Sequence, residues 1–235
     1  MKISLVITLF NEWEILQTML ARNLAELQEE VVEVIVASNA EEGSGESFFH
    51  PRHSTGGLIP SSLLYCGPNR GKEQGALDAI NAGCLLAARS HAEADWILHM
   101  HYDLEIQKRE ALLETLYEAE RRGSGIIARH TDSRLAEPKD EGGLGLSHFA
   151  DPAFLMMDIF AATPAYIRAN FPIPEMTDSP IPEVAFGNVC LDGEGDHWQI
   201  HPEAVARGEI QAFGAYHHID HHGYRGEELI LDRAQ

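Results

Sequence analysis

Trp96-Ile97-Leu98-His99-Met100-His101-Tyr102-Asp103-Leu104-Glu105 begins as an apolar run and turns, within a few residues, into imidazole, phenol and carboxylate. A run of this length and character predicts a buried strand, and the tips of strands in open α/β sheets are where ligands bind. The polar end is therefore a candidate metal and diphosphate site, with His101 and Asp103 as ligands and Tyr102 between them. Another reading is available for both: Asp103 as the cap of a following helix and His101 as a satisfied turn residue.

Upstream, Asn69-Arg70-Gly71-Lys72 precedes the strand by about one helix length, and Gly75 to Arg89 is an Ala-rich segment predicted to be that helix. Nearer the start, Ile3 to Leu9 reads as a first strand stopped by Phe10-Asn11-Glu12. Trp13, Ile15, Leu16, Met19, Leu20, Leu24 and Leu27 then recur at helical spacing. Val31 to Val36 is a second buried strand, ending in Ala37-Ser38-Asn39-Ala40 and predicted to lie parallel to the first. A long loop from Glu41 to Ser62, a short strand from Leu63 to Cys66, a helix from Glu110 to Arg122 and a strand from Gly125 to Arg129 complete the alternation. This order specifies an α/β protein with a Rossmann-like, mostly parallel central sheet flanked by helices.

From Thr131 the chain changes character: a polar loop to Ser147, a segment from Phe149 to Phe160, a helix around Pro164 to Asn170 and a Pro-rich stretch from Phe171 to Pro182. His217-His218-x-x-His221-His222 lies further on. With no internal repeat and no linker, residues 1–235 are expected to form one domain.

Composition narrows the function. A formal charge of −20 with no basic cluster disfavours nucleic acid and anionic membranes as partners. No apolar run approaches the roughly 18 to 20 residues that span a bilayer, and the first residues read as a strand instead of a secretory signal. Three dispersed cysteines without a Cys-x-x-Cys pair argue against a disulfide framework or a thiolate zinc site. The expectation is a cytoplasmic protein without an integral membrane segment.

Taken in order, Ile3 to Glu12, the second strand to Ser38-Asn39, Asn69-Arg70-Gly71-Lys72, the Ala/Gly helix and the strand to His101-Tyr102-Asp103 resemble family 2 glycosyltransferases of the GT-A fold. There the first strand typically ends Pro-x-Tyr-Asn-Glu, the middle motif is often Asn-x-Gly-Lys, and the fourth strand ends Asp-x-Asp. The likeness covers roughly residues 1–130, which it marks as the nucleotide-binding half, with residues 131–235 as the acceptor-side half. It implies transfer of a sugar from a nucleoside diphosphate sugar donor to an unknown acceptor, with Mn2+ or Mg2+ and inversion at the anomeric carbon. Asp103 is then the natural ligand of a hard cation bridging the diphosphate. His101 stands where the family has Asp, which shifts preference toward Mn2+ or marks a weakened site.

The same resemblance places base and ribose contacts at Thr8, Phe10, Asn11 and Glu12, with Asn11 also a possible helix cap. Ser38 and Asn39 replace acids often found after the second strand. Arg70, Gly71 and Lys72 supply local counter-charge and close backbone approach for phosphate, and Asp78 faces the sugar or solvent. A carboxylate must accept the proton of the acceptor hydroxyl. Glu183 is the first choice, with Asp178 and Glu175 as alternatives, although the usual Glu-Asp pair is missing. His218 or His221 would return to complete the metal site, against the alternative of a His-rich surface segment; His148 falls where an acceptor loop is expected.

Three other functions fit parts of the pattern. The strongest is a degenerate GT-A domain that binds nucleotide or sugar without turnover, followed by a nucleotidyltransferase of similar sheet order and a histidine-based metal-binding protein.

Overall fold

The computed structural model describes residues 1–40, 58–67, 70, 72–90, 92–106, 108–130, 155–175, 182–193, 196–200 and 217–218. The main strands in chain order are β1 (Ile3–Leu9), β2 (Val31–Ser38), β3 (Ser61–Tyr65) and β4 (Trp96–His101). After them come the two-residue β5 (Leu104–Glu105), then β6 (Ser124–His130), β7 (Leu155–Ala162), β8 (Asp196–Ile200) and β9 (His217–His218). The helices are α1 (Trp13–Glu26), α2 (Lys72–Arg89), α3 (Arg109–Arg122), α4 (Pro164–Asn170) and α5 (Pro182–Asp192).

Seven strands form one sheet in the order β3-β2-β1-β4-β7-β6-β8, and β5 pairs with β9 apart from it. The β1–β2, β1–β4, β2–β3 and β6–β8 pairs are parallel, and β1 reaches β2 through the crossover helix α1. β7 runs against both β4 and β6, so the sheet is mixed at that point.

Residue alternation decides which helix covers which face. Ile3, Leu5, Ile7 and Leu9 of β1 join Trp96, Leu98 and Met100 of β4 in a core with Leu16, Leu20 and Leu24 of α1 and Leu112 and Leu116 of α3. Val6, Ile35, Ile97 and Phe160 point the other way, into Leu77, Ile80 and Cys84 of α2, Tyr166 and Ile167 of α4, and Phe186 of α5. The result is a helix–sheet–helix sandwich with both sheet faces buried, which is why β1 and β2 read as near-continuous apolar runs. Gly83 lets α2 lie close to the sheet: a Cβ there would stand 2.6 Å from Val6 Cγ1.

Several local expectations need correction. Glu12, not Asn11, occupies the N-cap position of α1, and no side chain caps that helix. Lys108 holds the corresponding position of α3, so Asp103 is not a helix cap. α4 does carry a side-chain cap, with Thr163 accepting from the Tyr166 N–H ahead of Pro164. The Pro-rich stretch passes into helix at Pro182, where a proline at the first helical position loses no hydrogen bond, and Glu183 thereby lies in a first turn instead of a loop.

Candidate functional site at the strand tips

The register sets the strand tips side by side. Thr8 lies between Ala37 of β2 and His101 of β4, Leu9 lies opposite Ser38, and Ser38 lies opposite Tyr65. β1 is connected through α1 to β2 on one side and neighbours β4 on the other, so the strand order reverses there. α1 after β1 and α3 after β4 pack on one face of the sheet and α2 on the other, and the candidate crevice lies beyond the carboxyl ends of β1 and β4 at this reversal.

β4 supplies the acidic side of that crevice. Its last bond to β1 within reach of the tip is the Tyr102 N–H to the Thr8 carbonyl at 3.3 Å, after which Asp103 is buried at 4% exposure. Tyr102 is half-buried against Ile15 and Met19 of α1. Burial, with the Glu12 and Asp103 carboxylates, pushes its phenol above the ordinary range, so the tip of β1 and the tip of β4 each bring one acid to this phenol.

Behind the tip is a residue whose importance the sequence reading did not register. His99 is fully buried, its Nε2 3.2 Å from Thr8 Oγ1 and its ring stacked on Phe160 at 4.7 Å. Its ring also meets His101 edge-on at 5.8 Å. Burial, reinforced by His101 and opposed by the Met157 backbone, holds His99 well below the usual imidazole range, so it is neutral. The signal was the period of two: His99 lies on the same side of β4 as His101, among otherwise apolar neighbours.

At the tips of β1 and β2 most polar groups are spent internally. Ser38 Oγ donates to the Phe10 carbonyl at 3.2 Å and accepts from the Ala40 N–H at 3.0 Å, latching the two tips together. Asn39 donates through Nδ2 to the Gly75 carbonyl of α2, while its Oδ1 is buried with no hydrogen-bond partner among the described residues. Glu12 accepts from the Asn11 N–H at 3.0 Å, and Phe10 is 49% exposed, a large apolar surface at the mouth.

Arg70 is placed at this edge but faces acids. Its guanidinium grips Asp78 through Nε at 2.9 Å and Nη2 at 2.6 Å, and Nη1 reaches Glu175 at 3.4 Å. That pairing draws Asp78 below the ordinary carboxylate range despite some burial. The side chain of Lys72, together with Gly71, Asp178, His148 and His221, lies outside the described residues.

Cys66 follows β3 at the same edge and is a poor nucleophile. Burial and the Asp78 charge push its thiol up to about 11, against the opposing Ser38 backbone bond. At pH 8 iodoacetamide should alkylate native Cys66 more than about 100-fold more slowly than free cysteine, and at the free rate in urea. Peptide mapping of the labelled protein checks this.

The C-terminal histidines do come back to the acidic edge in part. β9 runs antiparallel to β5, with His218 opposite Leu104 and His217 opposite Glu105, so the backbone of His218 lies one register position from Asp103. Among the described residues no group of three or more His, Cys, Asp or Glu side chains is gathered for a metal ion. Nor is any described helix long and apolar enough to cross a membrane.

No family model matches the sequence, and no curated protein matches it. Solved structures do resemble it. TarS 1-349 of S. aureus aligns with a TM-score of 0.51 and 16% identity, over 85% of this chain and 58% of that one. The mannosyltransferase PcManGT from Pyrobaculum calidifontis, in complex with GDP-Man and Mn2+, aligns at 0.52 and 12% over 86% of this chain and 55% of that one. The galactosyltransferase LgtC, in complex with donor and acceptor sugar analogs, aligns at 0.52 and 13% over 87% and 77%. The chain thus spans a little over half the length of the first two. At these identities the likeness establishes the fold, and that fold is GT-A.

Proposed function

From the GT-A fold of this chain, we propose that it transfers a sugar from a nucleoside diphosphate donor to an acceptor hydroxyl, with Mn2+ or Mg2+ and with inversion. The observation that carries the reading is a buried carboxylate, Asp103, at the tip of β4 where the strand order reverses, with His101 beside it and Glu12 across the crevice. Asp103 and His101 offer one oxygen and one nitrogen donor. Such a set suits Mn2+ and leaves positions for diphosphate oxygens, and His218, whose backbone pairs with Leu104, would add a further donor. When bound, the ion would neutralise charge on the leaving diphosphate.

The chain's own residues do the rest. Thr8, Phe10, Asn11, Glu12, Asn39 and Tyr102 line the nucleoside side. Phe10 offers a face for stacking and the Asn39 Oδ1 an acceptor for a base N–H. Lys72 and the backbone at Gly71 would meet the diphosphate. Arg70 would have to exchange Asp78 or Glu175 for phosphate to join them. Glu183 at the start of α5 is the proposed base, with Asp178 the alternative. It takes the hydroxyl proton as the acceptor oxygen bonds to the anomeric carbon and the bond from that carbon to the diphosphate breaks.

A thermal-shift panel of UDP, GDP, CDP and dTDP, each with and without Mn2+, tests the donor half of this reading. One diphosphate at about 100 times its Kd should raise Tm by roughly 5 to 10 °C, only with metal. A flat panel would overturn it. The second reading, a GT-A domain that binds without turnover, draws on the internal use of Ser38 and the acid-matched Arg70. Slow metal-dependent release of free sugar from a nucleotide sugar panel would exclude that second reading.

A further inference from the structure

α1 is amphipathic, yet one residue on its apolar side is an amide. Asn23 falls among Leu16, Met19, Leu20 and Leu24 and is 1% exposed. A buried primary amide costs stability unless its donor and acceptor are both used, and here both are. Nδ2 donates to the Leu104 carbonyl at 2.8 Å, with Met100 Sδ at 3.9 Å, and Oδ1 accepts from the Ile106 N–H at 2.8 Å. Asn23 therefore pairs with Leu104–Ile106 as a neighbouring strand would, on backbone that has left the main sheet.

Its place in the chain gives this bracket a function. The Tyr102 N–H is tied to Thr8 of β1, and the Leu104 carbonyl is tied to Asn23. Asp103 is the residue between those two anchors. We infer that Asn23 is a positioning residue for Asp103, fixing the backbone that aims its carboxylate at a divalent cation. The inference rests on the reading of Asp103 as a metal ligand. Groups that orient a ligand commonly change metal affinity by about 10- to 100-fold when removed.

A like bracket elsewhere provides the control. Asn81 of α2 donates to the Ile173 carbonyl at 3.0 Å and accepts from the Ile173 N–H at 2.7 Å, holding a loop away from Asp103. Full-length parent, Asn23→Ser, Asn81→Ser and Asp103→Ala proteins would be titrated with Mn2+ alone, following the free-ion EPR signal, and unfolded in urea. Both asparagine variants should lose stability, but only Asn23→Ser should weaken Mn2+ binding, by about tenfold or more. If Asn23→Ser does not fold, Asn23→Asp keeps the shape and the acceptor for Ile106 while losing the donor, and should show the same loss. Parent-like Mn2+ affinity in the Asn23 variant, or an equal loss in Asn81→Ser, overturns the positioning role while Asp103→Ala still abolishes binding. Unchanged binding in Asp103→Ala instead overturns the metal reading, and the inference with it.

Discussion

Asp103→Ala is expected to abolish Mn2+-dependent binding of a nucleoside diphosphate, weakening it by about 100-fold or more, because a ligand contributes more than the groups that orient it. The fold should survive, since Leu104 and Ile106 stay bracketed by Asn23 and the removed side chain belongs to no apolar cluster. Isothermal calorimetry with and without Mn2+ checks the result. A variant that binds every diphosphate as the parent does would show that Asp103 is not the ligand. Binding that is lost equally with and without metal would place Asp103 on the nucleotide instead.

The largest stability effect is expected at Phe160. Its ring is completely buried, stacks on His99 at 4.7 Å and meets Phe186 at 4.8 Å and Phe171 at 6.3 Å. It joins β7 to α5 beneath the crevice, so truncation leaves a cavity bounded by a sheet and a helix that cannot both close in. Phe160→Ala should lower the unfolding free energy by about 3 to 5 kcal/mol in urea titrations. Phe160→Leu retains most of the volume and should cost under about 2 kcal/mol. Equal losses would mean that ring contact with His99, and not volume, is what matters there.

The sheet was legible in the sequence because its strands are buried on both faces and its helices on one. Ile3 to Leu9 and Val31 to Ser38 could scarcely be anything else, and the Ala-rich run before Trp96 had to be a crossover helix. The reversal at β7 was not legible: an apolar run carries no direction, and its orientation follows from the connection that precedes it. α5 was obscured by the prolines before it, since proline punctuates both loops and helix starts.

For the site, residue order gathered Thr8, Ser38, His101 and Asp103 at one edge because parallel strands bring equivalent ends together. Pairings were beyond reach. That Arg70 would meet Asp78 and Glu175, or that Ser38 would spend its hydroxyl on the Phe10 carbonyl, depends on side-chain distances with no periodicity. Asn23 and His99 did leave a trace, as polar residues at positions whose spacing assigns them to the core.

The ladder between β5 and β9 has a consequence for the order of assembly. It joins the acidic edge to a segment synthesised long after it, and so distant a contact closes late because of the chain entropy that must first be lost. A nascent chain can thus complete β1 to β4 with their helices while the rim beside Asp103 still waits for its second strand. The carboxylate would then stand at an unfinished border for as long as the chain between β5 and β9 is being made, and competence to hold a ligand would arrive late in folding.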